Sequence, residues 1–199
     1  MRNKRKIPFI SKPKLAIIVD GYTEYWYLKM IQRNEKNTNI DIKPEIPQKK
    51  TLIDQYNKVV DLSKIYDKVI WIIDLDVILK ESKLSELLRY KKSIKSEFSN
   101  ILMIINQPCL EYWILLHFNL TCPLFRNCGQ AERLLLKYFS NYSKTEKFYT
   151  KQGNDIYLKL KDNLSNAITN SKKLEEFNYQ SPYKGFTEMH VLFEELGIK

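Results

Sequence analysis

No run of about 20 apolar residues occurs in this chain, so nothing in it reads as a membrane-spanning helix, and no apolar signal core follows its basic start. Cysteine is scarce. Cys109, Cys122 and Cys128 are an odd count without a CxxC pair, which argues against a disulfide framework and against a zinc site built from the three with His117. Ordinary buried or free thiols in a reducing, cytoplasmic setting are expected. Acid is in short supply: 23 Asp and Glu face 33 Lys and Arg, a net charge of +10. That balance favours an anionic partner, nucleic acid ahead of a membrane surface. Internal repeats and low-complexity tracts are missing too, which excludes a solenoid or an array.

What remains is 199 residues with 13% aromatics, enough to bury a real core in one domain. Residues 1–14 carry Arg2, Lys4, Arg5, Lys6, Lys12, Lys14 and two prolines, a composition expected to form a flexible basic tail. Leu15 to Val19 reads as a short buried strand, Thr23 to about Asn34 as a helix, and Ile40 to Pro47 as an edge strand. Ile53, Tyr56, Val60 and Ile65 recur at helical spacing before the apolar run Ile70 to Ile73. Leu84 to Phe98 is amphipathic, and Ile101 to Ile105 is another buried strand. This alternation predicts an α/β fold, a mostly parallel sheet of about four strands flanked by helices. From about 107 to 199 the pattern becomes helix-rich, over Leu110–Phe118, Gln130–Phe139, Asp155 to roughly Ser171 and Glu188–Leu196. Thr187 is the expected N-cap of the last helix, and residues 140–153 read as an exposed loop.

The run Ile70-Trp71-Ile72-Ile73 closes on Asp74-Leu75-Asp76. The two acids are expected to end the strand on one face, because side chains alternate along a strand and both carboxylates can then converge on one metal ion or one proton. Upstream, Asp20 follows the first strand and Glu24 falls in the first turn of the next helix. In a parallel sheet Asp20, Asp74 and Asp76 would meet beyond the carboxyl ends of the strands, and Glu24 would join them if the helix N-terminus faces the pocket. Hard oxygen donors of this kind suit Mg²⁺ or Mn²⁺. Asp74-Leu75-Asp76 is also compatible with the opening motif of haloacid-dehalogenase-type phosphatases, in which the first Asp is a nucleophile, although that motif usually begins the first strand.

The segment Ile17-Ile18-Val19-Asp20-Gly21-Tyr22-Thr23-Glu24, with Asp74-Leu75-Asp76, resembles the two acidic motifs of the Toprim fold. Asn106-Gln107-Pro108-Cys109-Leu110-Glu111-Tyr112-Trp113-Ile114-Leu115-Leu116-His117-Phe118, together with Phe186 to Leu196, resembles the RloB-like family over about residues 14–197. The resemblance implies a single Toprim-like (Rossmann-like) domain over 15–199 with a helical C-terminal extension. It also implies a divalent-metal-dependent nuclease of restriction or phage-defence loci, acting on DNA or RNA beside an AAA- or ABC-type ATPase partner. Asp20, Glu24, Asp74, Asp76 and Glu111 would hold two Mg²⁺ or Mn²⁺ ions, and Lys151 would neutralise a phosphate or leaving group. The family carries Glu where this chain has Asp20, which shortens the reach by one methylene. A non-catalytic module binding nucleic acid or the ATPase is the alternative that this substitution supports. His117 reads as a packed histidine, with substrate contact or general acid as its functional alternative, and Tyr22 as a residue able to stack on a base.

Overall fold

Short strands apolar on both faces alternate with amphipathic helices as far as residue 107, and the chain folds accordingly. The computed structural model describes residues 14–19, 21–36, 38–43 and 50–198. The basic segment 1–13, Asp20 and residues 44–47 of the expected edge strand lie outside the described residues. The element order is β1 (Leu15–Ile18), α1 (Tyr22–Asn34), β2 (Ile40–Lys43), α2 (Leu52–Ser63), β3 (Lys68–Asp74), α3 (Leu75–Lys80), α4 (Leu84–Glu97) and β4 (Ile101–Gln107). The helix-rich half follows with α5 (Leu110–Leu116), α6 (Cys128–Leu135), α7 (Glu146–Thr150), α8 (Ile156–Leu160), α9 (Leu164–Lys172), β5 (Phe186–Thr187) and α10 (Met189–Leu196).

The sheet order is β2-β1-β3-β4-β5, with β5 antiparallel to β4 and the other pairings parallel. Both faces are covered, as the continuous apolar runs require. Alternate strand residues feed two separate cores. Ile17, Ile70, Ile72 and Ile104 pack with α1, α5 and the C-terminal helices. Ala16, Ile18, Val69, Trp71, Ile73, Met103 and Ile105 pack on the opposite face with α2 and α4. The indole of Trp71 donates to Gln55 Oε1 at 3.0 Å and that of Trp113 to the Tyr27 hydroxyl at 2.8 Å, so neither buried N–H is left unpaired. A capping box between Thr51 and Asp54 starts α2, and Gly197 at φ 65° ends α10 in the left-handed region that glycine tolerates.

Several expectations are corrected. Among the described residues the mostly parallel sheet expected of about four strands is present, and Phe186–Thr187, too short to show a period, adds a fifth by pairing with Gln107 and Asn106. Thr187 therefore belongs to β5, and Glu188 occupies the N-cap position of α10. The helical stretch 155–171 is broken by a 3₁₀ turn at Lys161–Asn163. Residues 140–153 are not simply an exposed loop: α7 lies within them, and Tyr142, Phe148 and Tyr149 are buried. The lysines around these three aromatics hide their packing role from a composition-based reading. Among the described residues no helix is long and apolar enough to cross a membrane.

Candidate active site

From β1 the chain crosses to β2 on one side, and from β3 to β4 on the other. The strand order thus reverses between β1 and β3, and a crevice opens beyond their carboxyl ends. A cavity of about 460 Å³ lies there, lined by Gly21, Tyr22, Thr23 and Glu24 after β1, by Asp74 and Asp76 after β3, and by Lys50, Lys83, Cys109, Cys128 and Lys144 among others.

Asp74 and Asp76 do not share a strand face. β3 ends at Asp74, and Asp76 sits in the first turn of α3. They reach one cavity because the chain turns from strand to helix between them, so period-two alternation does not apply. Asp74 is the last residue of a polar row crossing three strands, in register with Asn106, which is in register with Thr187. The amide of Met189 donates to Thr187 Oγ1 at 3.1 Å, and that hydroxyl donates to Asn106 Oδ1 at 2.7 Å. Asn106 Nδ2 then donates to Asp74 Oδ1 at 3.0 Å. The backbone N–H of Leu110, at the start of α5, donates to Asp74 Oδ2 at 3.2 Å. Both carboxylate oxygens are therefore oriented by the fold. Asp76 Oδ1 accepts from the Val77 amide at 2.8 Å and Oδ2 from the Cys128 amide at 3.3 Å, at the start of α6.

Glu24 lies in the first turn of α1 and is buried. Its carboxylate folds back over Gly21, where an added Cβ would collide with Oε2. Gly21 has an ordinary extended φ of −109°, so glycine is needed there for room rather than for backbone freedom. Gly21→Ala should leave the melting temperature within a few degrees, because only the tip of a flexible side chain must move, yet displace the carboxylate and so weaken about tenfold or more whatever Mn²⁺ binding the cavity supports. Isothermal titration of Mn²⁺ beside a thermal melt checks both halves.

Glu111 stands behind the cavity wall rather than on it. It is fully buried, accepts from the Tyr142 hydroxyl at 2.6 Å and pairs with Lys144 at 3.2 Å. Burial pushes its pKa up, with Lys144 and Tyr142 pulling the other way. Tyr142 is in turn 2.7 Å from the Tyr149 hydroxyl. Lys144 also pairs with Glu132 at 3.1 Å; burial draws its pKa down, but the two carboxylates outweigh this and hold it above the ordinary value. Lys151 caps α7, is exposed and does not line the cavity. Of the lysines in residues 140–153, the one the structure brings to the cavity is Lys144. Spacing alone does not separate it from Lys147 and Lys151 in one lysine-rich segment. Asn106 and Thr187 are the positioning residues that sequence reasoning missed. Their one signal is that Asn106 follows the apolar run Ile101 to Ile105 as Asp74 follows Ile70 to Ile73.

Cys109 and Cys128 are joined in a disulfide, which overturns the expectation of free thiols; Cys122 is the free cysteine among the described residues. The two lie 19 residues apart at the starts of different helices, a juxtaposition only the fold creates. Cys122 instead donates to Gly185 O at 3.1 Å, so no Cys₃His set with His117 forms. Among the described residues, the group of three possible ligand atoms lying within 4.8 Å of one another is Cys109, Glu111 and Cys128. Glu24, Asp74 and Asp76 share the cavity without gathering that closely. Like charges on one cavity repel, and a bound cation is what would draw them in.

His117 is buried against Trp113, in edge contact at 5.1 Å between ring centres. Its Nδ1 donates to the Trp113 carbonyl at 3.1 Å, and Nε2 has no hydrogen-bond partner among the described residues. Burial lowers its pKa from 6.5 to about 4, so the folded protein keeps it neutral. The unfolded chain takes up a proton below pH 6.5 and the folded one only near pH 4. Stability from this group is therefore complete above pH 6.5 and lost as pH falls to about 4, by about 3 kcal/mol at most. His117→Phe should be close to neutral at pH 7.5 and flatten that acid-side loss in urea titrations.

Residues 15–196 match the family model described as RloB-like protein, most of the chain's length, so the chain belongs to the RloB-like family. No match is found among curated proteins or among solved structures.

Proposed function

We propose that this RloB-like chain is a divalent-metal-dependent nuclease whose catalytic centre is the acidic cavity at the carboxyl ends of β1 and β3. The observation that carries the reading is the two-sided bracing of Asp74, by Asn106 and by the Leu110 amide, at the point where the strand order reverses. A carboxylate aimed this firmly into a crevice, with Glu24 and Asp76 beside it, suits an ion-binding role better than a turn cap; α3 in fact takes no side-chain cap from Asp74.

Glu24, Asp74 and Asp76 would hold Mg²⁺ or Mn²⁺, and Asp20, the remaining acid of the motif, would complete the set. Glu111, walled off and paired with Lys144, supports that lysine rather than supplying a first ligand. When bound, two such ions supply an activated water and charge stabilisation for the leaving oxygen. The chain's own groups do the rest. Lys50, Lys83 and Lys144 line the same cavity and attract the phosphate backbone. Tyr22, 48% exposed at its mouth and 5.5 Å from Trp26, offers a face on which a base can stack. A role in antiviral defence with an ATPase partner is part of the same proposal and rests on the family alone.

A non-catalytic binding module is the competing reading, favoured by Asp20 where the family carries Glu. Incubating the purified chain with labelled single- and double-stranded DNA and RNA, with Mg²⁺ or Mn²⁺, alone and with a co-encoded ATPase, separates the two. Cleavage abolished by chelator is expected. Binding that is salt-sensitive and chelator-insensitive, with no cleavage of any substrate, would establish the module instead.

A further inference from the structure

The disulfide lies where it can govern both aspartates. Cys109 is the N-cap of α5, and the next amide, Leu110 N–H, donates to Asp74; Cys128 opens α6, and its own amide donates to Asp76. One covalent bond therefore ties together the two backbone donors that orient the two acids. Both cysteines line the cavity, although only 1% and 6% of their surface is exposed, and Cys128 Sγ lies 3.0 Å from both Lys144 Nζ and Glu111 Oε2. Lys144 can hold a departing thiolate, as cationic neighbours do at reactive cysteines.

We propose that Cys109–Cys128 is a thiol–disulfide exchange site that switches the acidic cavity, competent when oxidised and slack when reduced. The inference rests on the metal-site reading given above and adds its regulation. In reduction, a dithiol attacks one sulfur as thiolate, the S–S bond breaks, and a mixed disulfide forms. The reagent's second thiol then closes on the first, leaving two protein thiols and one oxidised dithiol. Oxidation is the reverse, with a small-molecule disulfide accepting the two electrons and leaving as two thiols. Unbonded sulfurs must part to van der Waals contact, so the starts of α5 and α6 separate and the Leu110 and Cys128 amides withdraw from their carboxylates. Under reducing conditions the centre is idle, and an oxidising challenge arms it.

The test uses the full chain equilibrated with oxidised or reduced dithiothreitol, with thiol counts and circular dichroism to establish redox state and folding. Amide hydrogen exchange by NMR and Mn²⁺ titration are then measured on each. Expected are lower protection at Leu110 and Cys128 on reduction, with Ile72 and Ile104 unchanged, and Mn²⁺ affinity reduced about tenfold or more. Cys128→Ser should match the reduced protein and ignore dithiothreitol, whereas Cys122→Ser should respond as the unaltered chain does. Three free thiols under oxidising conditions, or equal protection of both amides in the two states, would overturn the switch. Should neither state bind Mn²⁺, the metal-site reading falls, and amide protection still decides whether the disulfide moves the two helix starts.

Discussion

Asp74→Asn should lower metal-dependent cleavage about a thousandfold, equivalent to roughly 4 kcal/mol of lost transition-state stabilisation. Two effects combine. The substitution removes the charge that would hold the ion, and it sets an amide against a fixed neighbour. Asn106 cannot simply turn to accommodate it, because its Oδ1 is held by the Thr187 hydroxyl, so Nδ2 must face Asp74. An Asn at position 74 can accept from Leu110 or from Asn106 through its one oxygen but not from both. The mismatch costs about 1–3 kcal/mol of stability, which a melt reads separately from the rate. Thr187→Val, remote from any ion, should lower the rate less by freeing Asn106. If Asp74→Asn cleaved at the unaltered rate, no metal role for Asp74 would survive.

Lys144→Met should be the most destabilising change at the cavity. It leaves Glu111, fully buried, with Tyr142 but without its cation. Breaking a buried pair costs about 3–5 kcal/mol; Lys144 is 35% exposed, so solvent screening brings the expected loss to about 2–3 kcal/mol. The sign of its pH dependence is fixed by the Glu111 shift. Burial already raises that pKa, and losing Lys144 raises it further, so the folded variant holds its proton where the unfolded chain has lost it. A group of this kind is stabilising below its unfolded pKa and loses that contribution as pH rises through the folded one. The deficit of Lys144→Met should therefore shrink between pH 8 and pH 5 in urea titrations. Glu111→Gln added to Lys144→Met should recover most of it, since Gln keeps a partner in Tyr142 without a charge. A deficit unchanged with pH would mean that Glu111 is not the group left uncompensated.

How legible all this is in the sequence varies with how local the cause is. β1, β3 and β4 announce themselves as apolar runs, and the parallel arrangement follows from the helices between them. Asp74 and Glu24 are visible as acids ending a strand and opening a helix. The geometry of Asp76 is not, because Leu75-Asp76-Val77-Ile78 continues the apolar run while the backbone has already turned into α3. β5 holds two residues and exists only by pairing with β4. The polar row Thr187–Asn106–Asp74 and the Cys109–Cys128 link join residues 81, 32 and 19 positions apart, and no spacing rule reaches across such distances. The choice of Lys144 over Lys151 depends on which turn of one basic segment packs inward. Tyr142 and Tyr149 decide that by burial.

Whether Glu24, Asp74 and Asp76 form one cation site is tested most directly by anomalous diffraction at the manganese edge from crystals of the oxidised protein soaked in Mn²⁺. Manganese peaks are expected in the cavity within ligand distance of Asp74 and of Glu24 or Asp76, lost in Asp74→Asn. Peaks elsewhere with that cavity empty, or occupancy unaltered by Asp74→Asn, would contradict it.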